Sequence, residues 1–386
     1  MKVGLITFHA AYNFGSVLQA YATQEVIRSI AGNCQIINYR TKEQRRVYSI
    51  FSWNKGLYVL KSIIKNLLIL LIYNKRKKRE TLYEDFFNQY FELSEECIEP
   101  QDVYDMWNKY DLIVSGSDQI WNKHANELHH IEEEFMRPYL LYNYRGVKTS
   151  YASSFGNMSQ NEIMNLLPYI NDFSHISFRE DKYRDQIIGF LGRKVKTVLD
   201  PTLLLNKKEW LERFGEIESD ERYVLYYSLN CWRDIVNDGK NVKKLAAQKG
   251  LKVVMVLPMT PIKFELGVKY LDDVDPINFL HLVCNADTII TDSYHGTLFS
   301  VIFEKEFYSI CGRNASDYRK TDILNRIGLT CRVITNTNEI LKNCYEKINY
   351  EEVHSYLDPL IKESKDYLRK TLNVRKTTEQ RSEANL

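Results

Sequence analysis

Residues 3–39 read VGLITFHAAYNFGSVLQAYATQEVIRSIAGNCQIINY, and this stretch contains the unit that decides the fold. An apolar run at residues 3–8 is followed by a polar loop, and a helical pattern then extends from Ser16 to about Ile30. Gly32 ends the helical pattern, and residues 35–39 are apolar again. The segment is therefore predicted to be a strand–loop–helix–strand unit, which typically opens a doubly wound α/β sheet.

The same alternation continues along the chain in two series. Asp200-Pro201 ends the first series, because the residue before a proline disfavours helical backbone. Further strands are predicted at residues 112–115, 149–154, 175–178 and 195–199, and then at residues 222–228, 251–257, 288–291 and 307–310. We predict an α/β protein of two Rossmann-like domains that face each other across a cleft at the carboxyl ends of their strands. The predicted divisions are residues 1–205, residues 206–349 and a C-terminal helix with a polar tail at residues 350–386.

Composition excludes several classes of protein. Hydrophobic residues make up 44% of the 386 residues, which is typical of a globular chain and excludes extensive disorder. A net charge of +2 gives no electrostatic reason to propose a nucleic-acid partner. The seven cysteines form no C-x-x-C pair, which argues against a disulfide framework and a cysteine-ligated zinc site. We therefore expect a reduced, cytoplasmic chain.

One apolar segment with a basic end is a candidate membrane contact. Residues 57–73 are strongly apolar, but the uninterrupted run at residues 67–73 is far shorter than the ~20 residues of a spanning helix. Two interpretations remain. The segment can be a buried amphipathic helix with a solvated basic end, or residues 57–79 can form an interfacial helix that contacts anionic lipid through the basic residues 75–79.

Polar loops follow two strands of the first series. In the loop Asn13-Phe14-Gly15-Ser16, Gly15 permits a turn, and the helix start beyond it favours an anionic or polar ligand. The alternative is an ordinary turn with Asn13 or Ser16 as the N-cap. In the second loop, Asp118 and Gln119 suit sugar hydroxyls, and Trp121 suits the face of a sugar ring. The alternative there is a capped helix start with Trp121 in the core.

Two further strand ends carry an arginine and a histidine. Arg179 ends an apolar strand of the first series and can bind a carboxylate or phosphate, or it can pair with a nearby acid. His295 lies in the opening turn of a helix in the second series and can act as a general acid. We predict that Arg179 and His295 converge on one interdomain cleft. The histidines and glutamates of residues 124–134 form no recognisable metal-ligand pattern, so no metal site is expected.

The order of these motifs resembles that of the polysaccharide pyruvyl transferase family over roughly residues 3–335. The resemblance is carried by TFHAAYNFGSVLQAYATQ, VSGSDQIWN, SYASSFG, ISFRE, VLDPTLLL, TDSYHGTLFSVIF and RNASDYRKTDILNRIGL. The family is similar in fold to two-domain GT-B glycosyltransferases. Its characterised members transfer the enolpyruvyl part of phosphoenolpyruvate to two hydroxyls of one sugar, which gives a cyclic pyruvate ketal.

The resemblance implies roles for particular residues. Arg179 is expected to bind the phosphoenolpyruvate anion, His295 to lie at the reacting group as the acid, and Asp118 to act as base or to orient the acceptor. Some members carry an arginine two residues before the histidine, where this chain has Ser293, followed by Tyr294. The substrate-binding candidates are Asn13, Gly15, Gln119, Trp121, Arg179, Ser293 and Tyr294, together with Arg313, Arg319 and Lys320, one of which is expected to supply the missing charge.

The resemblance also implies partners. Phosphoenolpyruvate is expected as a co-substrate, with no cofactor, and a saccharide, expected to be lipid-linked, as the acceptor in capsule or exopolysaccharide synthesis. The N-terminal domain is expected to form the acceptor side and the C-terminal domain the donor side. Two alternatives are a GT-B-like glycosyltransferase that uses a nucleotide sugar and a non-catalytic carbohydrate-binding relative. The groups that face Arg179 and His295 distinguish these alternatives.

Overall fold

The protein forms two parallel sheets in a computed structural model. The structure describes residues 1–51, 63, 66–67, 69–70, 73–129, 131–216, 221–229, 232–258, 268–271, 273–342 and 346–373. With the strands numbered in chain order, those of the first sheet lie in the order 3-2-1-4-5-6-7 and those of the second in the order 10-9-8-11-12-13. Every pairing between neighbouring strands is parallel. This architecture confirms the predicted α/β fold with two Rossmann-like halves.

The strands of each sheet come from one continuous part of the chain. In the first sheet they are β1 (Val3–Ile6), β2 (Gln35–Tyr39), β3 (Leu93–Cys97), β4 (Leu112–Asp118), β5 (Val147–Ser153), β6 (Ser177–Phe178) and β7 (Lys196–Thr197). In the second they are β8 (Tyr223–Tyr227), β9 (Lys252–Val256), β10 (Lys269–Leu271), β11 (Thr288–Thr291), β12 (Glu306–Ile310) and β13 (Val333–Ile334). The central strands are buried along their whole length, as expected for parallel strands covered on both faces.

Helices cover both sheets. In the first half they are α1 (Phe14–Ala31), α2 (Lys42–Val47), α3 (Tyr73–Tyr90), α4 (Pro100–Met106), α5 (Glu133–Met136), α6 (Gln160–Ile170) and α7 (Arg184–Leu191). They continue with α8 (Lys207–Phe214), α9 (Trp232–Gln248), α10 (Pro276–Asn285), α11 (Tyr294–Ile302), α12 (Tyr318–Arg326), α13 (Asn338–Lys342) and α14 (Tyr350–Leu372).

Helix α1 begins at Phe14, two residues before the predicted start at Ser16. Of the two candidate N-caps, Asn13 caps the first turn, and its side chain accepts a hydrogen bond from the Ser16 amide at 2.8 Å. Gly32 ends the helix in the left-handed conformation, with φ of 83°, and its amide donates to the carbonyl of Arg28. The predicted stop at Gly32 is confirmed.

Three strands among the described residues were not predicted, and a helix start that was considered as an alternative is absent. β3 carries two exposed glutamates at the edge of its sheet, so it lacks the apolar signal of a central strand. β10 and β13 contain only three and two residues. After Asp118 the chain continues in turns, because β4 itself extends to Asp118, so the capped helix start considered at this position is wrong.

The two halves are joined by an aromatic cluster. The Phe14 ring, at the start of α1, is stacked on the Phe279 ring of α10 with centroids 4.4 Å apart and an angle of 6° between the planes. Phe14 also contacts Tyr83 of α3 and Tyr227 of β8, at 6.0 and 5.7 Å. A side chain of the first half is therefore inserted into the core of the second half.

The C-terminal helix α14 returns to the first half. Its Ser364 hydroxyl accepts a hydrogen bond from the Leu199 amide at 3.0 Å, and the Tyr367 hydroxyl donates to the Ser150 carbonyl at 2.9 Å. The proposed divisions at residues 205 and 349 stay predictions.

The basic end of the candidate membrane segment contacts the second half. Lys78 pairs with Asp273 at 2.6 Å, and Arg79 donates to the Pro258 carbonyl at 3.0 Å. Most of residues 57–72 lie outside the described residues. Among the residues described, no helix has the length and apolar character needed to cross a membrane. The lipid contact stays a prediction. Among its basic residues, Lys77 also pairs with Glu80 of the same helix at 3.0 Å.

Replacing Phe14 by Ala tests the aromatic junction. The buried ring loses its contacts with both halves, so we expect the free energy of unfolding to fall by about 3 to 5 kcal/mol. Chemical denaturation of the Phe14→Ala variant measures this loss. Phe190→Ala is the control, because Phe190 is 51% exposed and should change stability by no more than about 0.5 kcal/mol. Equal losses in the two variants would contradict the role of Phe14.

Candidate active site between the two sheets

Arg179 is buried where the first sheet faces the second. It follows β6 directly, and its side chain is 1% exposed. Its Nη1 donates to Asp200 Oδ2 at 2.8 Å, and its Nη2 lies 3.4 Å from Asp118 Oδ1. The pairing with nearby acids that the sequence left open is therefore present. Because both acids are buried with it, Arg179 holds the carboxyl ends of β4 and β6 to the turn that begins at Asp200.

His295 reaches the same carboxylate from the second sheet. It lies in the first turn of α11, which Ser293 caps by accepting a hydrogen bond from the Gly296 amide at 3.2 Å. Its Nε2 is 3.3 Å from Asp200 Oδ2, without the geometry of a hydrogen bond. Residues more than a hundred positions apart thus meet at Asp200, which confirms the predicted convergence of Arg179 and His295.

The electrostatics of Asp200 depend on these two partners. Burial raises the pKa of its carboxyl, but the nearby His295 and Arg179 lower it by more, so the pKa lies well below its usual range. Thr202 adds two hydrogen bonds, from its amide at 3.0 Å and from its hydroxyl at 2.7 Å. Asp200 is therefore a fixed anion, suited to orienting its neighbours.

The starts of helices α1 and α11 touch each other at this point. A Cβ built on Gly15 would lie 2.1 Å from His295 Nδ1, so only glycine leaves room for the histidine ring. Unpaired amides at a helix start carry partial positive charge and favour anions. The loop predicted to bind an anion at Gly15 is thus brought against the histidine from the other half.

Asp118 lies beside Arg179 at the end of β4. Its backbone adopts the left-handed region, with φ of 71°, and its Oδ2 accepts a hydrogen bond from the Ser16 hydroxyl at 2.8 Å. Burial raises its pKa, but Arg179 and His295 lower it by more, so the pKa is below its ordinary value. A carboxylate held ionised in this way is a weak base, so the position of Asp118 suits orientation better than proton transfer.

Of the three cations expected to supply a missing charge, Arg319 is the one that reaches this centre. Its guanidinium lies 5.2 Å from the centre of the Tyr294 ring, and that of Arg179 lies 4.6 Å from the same ring. Burial and the like charge of Arg179 lower the pKa of Arg319. By contrast, Arg313 pairs with Asp238 at 2.6 Å.

Lys320 has a structural role. Its ammonium group donates to the carbonyls of Asp292 and Ile310 and pairs with Asp317 at 3.0 Å. These contacts hold the start of α12 against the ends of β11 and β12.

Three polar atoms at this centre have no hydrogen-bond partner among the described residues. They are Arg179 Nε, Glu180 Oε2 and His295 Nε2, all buried. Arg179 Nε and Glu180 Oε2 face each other as an ion pair at 3.8 Å, and His295 Nε2 faces Asp200 at 3.3 Å. The other oxygen of Glu180 accepts hydrogen bonds from Ser154 at 2.6 Å and from Tyr318 at 3.3 Å. Buried polar atoms are normally paired, so this arrangement is what a ligand site would show. Sequence reasoning missed Glu180, although it directly follows Arg179 in the motif ISFRE. It also missed Asp200, although this residue lies in the motif VLDPTLLL.

Trp121 and Gln119 do not line this centre. The Trp121 ring is fully buried against Phe155 and Phe178, and its Nε1 donates to the Tyr139 carbonyl at 3.0 Å. The predicted stacking of Trp121 on a sugar ring is therefore wrong, and the alternative of a core residue holds. Gln119 accepts a hydrogen bond from the Asn122 side chain at 2.9 Å and so supports the turn after β4.

Solved structures with the same fold share little sequence with this chain. A structure from Listeria monocytogenes described as a UDP-N-acetylglucosamine 2-epimerase has a TM-score of 0.50 and 10% identity, covering 96% of this chain and 90% of its own. The UDP-GlcNAc 2-epimerase from Methanocaldococcus jannaschii has a TM-score of 0.49 and 11% identity, covering 94% and 93%. At such identity the likeness concerns the fold alone, which is GT-B-like.

Sequence comparison identifies the family. No curated protein is similar enough to count as a match. The family model described as polysaccharide pyruvyl transferase matches residues 13–310, which span both sheets and include Arg179, Asp200 and His295. The chain therefore belongs to the polysaccharide pyruvyl transferase family.

Proposed function

We propose that this protein transfers the enolpyruvyl group of phosphoenolpyruvate to a sugar of a polysaccharide or lipid-linked oligosaccharide, forming a pyruvate ketal and releasing phosphate. Family membership supports a transferase acting in polysaccharide pyruvylation. The observation that carries the donor assignment is the convergence of Arg179, Arg319 and His295 in one buried junction. Arg179 Nε and His295 Nε2 face carboxylates at 3.8 and 3.3 Å, but neither has a hydrogen-bond partner among the described residues.

The charge of this centre suits phosphoenolpyruvate. The donor carries a carboxylate and a phosphate, and each needs cations and N–H donors to replace water. Two guanidinium groups that share one tyrosine ring repel each other when buried, so a bound anion relieves the repulsion. The starts of α1 and α11 add partial positive charge from both halves.

The chemistry needs an acid and an oriented acceptor. In the proposed route, His295 gives a proton to the methylene carbon of phosphoenolpyruvate, and positive charge develops at the carbon that bears the phosphate. A sugar hydroxyl forms a bond to that carbon, phosphate leaves, and a second hydroxyl of the same sugar closes the ketal. The ionised Asp118 and Asp200 stabilise the developing positive charge and orient the acceptor and His295.

Incubation with phosphoenolpyruvate and candidate lipid-linked glycans tests the function. Phosphate release and a glycan heavier by one pyruvate minus one water support the proposal. The same glycans are incubated with nucleotide sugars in parallel. A mass gain of one sugar there, with none from phosphoenolpyruvate, would indicate a glycosyltransferase. Glycan binding with neither reaction would indicate a non-catalytic relative.

Replacing Arg319 by Met tests the donor site. We expect the dissociation constant of phosphoenolpyruvate to rise by roughly 10- to 100-fold, since a charge-assisted contact contributes about 1.5 to 3 kcal/mol. Calorimetric titration measures the affinity. Arg326→Met is the matched control, because it removes the same charge from the same helix beside Asp322. Unchanged affinity in Arg319→Met would contradict the assignment.

An Arg179→Ala variant should also weaken donor binding, but it is a less sharp test. The variant removes the guanidinium group that pairs with the buried Asp118 and Asp200. Breaking a buried ion pair in this way costs on the order of 3 to 5 kcal/mol of stability. Arg319 has no such carboxylate partner among the described residues, so its removal separates binding from folding.

Replacing Gly15 by Ala tests the contact between the two helix starts. The added methyl group would displace the His295 ring, so we expect kcat for phosphate release to fall on the order of 100-fold. Steady-state kinetics with phosphoenolpyruvate and an accepted glycan measure the effect. Gly189→Ala is the control, because a methyl group added there would have no atom within 4 Å. A Gly15→Ala enzyme with the wild-type kcat would show that the close approach has no catalytic consequence.

A further inference from the structure

A buried carboxyl group on the acceptor side of the site has no part in the proposed route. Glu127 lies in the turns after β4 and is 8% exposed. Its Oε1 accepts a hydrogen bond from the Tyr48 hydroxyl. Tyr48 directly follows α2 and is half-buried, so the pair connects the interior of the first half to its surface.

A ring contact places this pair next to the loop that enters the candidate active site. The Tyr48 ring lies 5.4 Å from the Tyr12 ring, and Asn13 follows Tyr12 in that loop. Asn13 Nδ2 donates to the Ser16 hydroxyl at 2.9 Å, and Ser16 donates to Asp118 at 2.8 Å. Tyr48 therefore lies beside the loop that carries Gly15 against His295.

The surroundings of Glu127 give its carboxyl a higher pKa than that of Asp118. The pKa of Glu127 is raised to about 7. Burial is the largest cause of the rise and the Asp118 charge adds to it, whereas the Tyr48 hydrogen bond acts in the opposite direction. The other ionisable group that faces it is the buried Tyr139 hydroxyl. Asp118 is held ionised, whereas Glu127 exchanges its proton near neutral pH. Two carboxyl groups with pKa values pushed apart can take different roles in one site.

We propose that Glu127, acting through the Tyr48 hydroxyl, accepts the proton of the sugar hydroxyl that attacks the donor. The inference rests on the proposed function and adds the proton acceptor that Asp118 is poorly suited to be. In this proposal Glu127 does not contact the sugar. Tyr48 is the group expected to contact the acceptor.

The proton and electron count of the step is complete. As the sugar oxygen bonds to the central carbon of the enolpyruvyl group, its proton passes to the Tyr48 oxygen and the Tyr48 proton passes to Glu127 Oε1. The electron pair of the carbon–carbon double bond takes the proton that His295 supplies. The bond to phosphate then breaks with its electron pair on phosphate. As the ring closes, the second hydroxyl gives its proton to His295, which the first transfer left neutral.

The pair imposes a direction on the pH dependence. Below pH 7 Glu127 is mostly protonated and cannot accept a proton, so the rate should fall towards acid pH. Above pH 7 Glu127 is ionised, so its protonation no longer lowers the rate. The acid limb of the profile of kcat/KM for the acceptor should therefore have a midpoint near 7.

Kinetics of Glu127→Gln and Tyr48→Phe test the proposal. Glutamine keeps an oxygen that can accept the Tyr48 hydrogen bond but cannot take its proton. We expect kcat to fall on the order of 100-fold in both variants, with phosphoenolpyruvate affinity unchanged and the acid limb near pH 7 lost. Glu133→Gln, an exposed glutamate of α5, should keep the wild-type rate and profile.

A measurement on the wild-type chain avoids any loss of folding in a variant. Side-chain ¹³C NMR should show one glutamate carboxyl with a midpoint near pH 7, assigned by its absence in Glu127→Gln. A Glu127 midpoint near that of a solvated glutamate would overturn the inference, as would a wild-type rate and pH profile in Glu127→Gln.

The two proposals fail in different ways. A wild-type chain that transfers nothing from phosphoenolpyruvate to any acceptor overturns the proposed function, and the inference with it. An active wild-type chain beside an equally active Glu127→Gln variant overturns only the role of Glu127.

Discussion

A buried carboxylate shared by the two halves of the molecule is the constraint on which the rest of the structure depends. Asp200 has almost no exposed surface, so its charge is tolerable only with partners. Arg179 pairs with this carboxylate from the first sheet, and His295 of the second half lies 3.3 Å from the same carboxylate. The carboxyl ends of the two sheets must therefore face each other, which is where doubly wound sheets place their ligand sites.

Packing and chemistry are joined at the start of α1. Phe14 is inserted into the aromatic core of the second half, and the next residue, Gly15, leaves the space that His295 occupies. Phe14 therefore packs the two halves together, and Gly15 leaves room for the ring of His295, the candidate acid. A change in how the halves pack must alter the position of His295 relative to Arg179 and Asp118, because all of them are buried in the same junction.

The candidate site separates its charged groups by environment. Asp118 and Asp200 are held ionised by nearby cations, whereas burial and the Asp118 charge raise the pKa of Glu127. Arg319 shares the Tyr294 ring with Arg179 without a carboxylate partner of its own among the described residues. The same residue types therefore suit different tasks: fixed anions for orientation, a titrating acid for proton transfer and a cation for an anionic donor.

The sequence by itself determined the alternation of strands and helices, the C-terminal end of α1, and the positions of Arg179 and His295 at strand ends, because these depend on local periodicity and capping. It also carried the motifs of the family. Only the tertiary structure decided which groups meet. It placed Trp121 in the core, placed Arg319 rather than Arg313 beside the Tyr294 ring, and brought Asp200 between Arg179 and His295. Such contacts depend on how separate segments pack and what each side chain is buried against, and no local pattern encodes that.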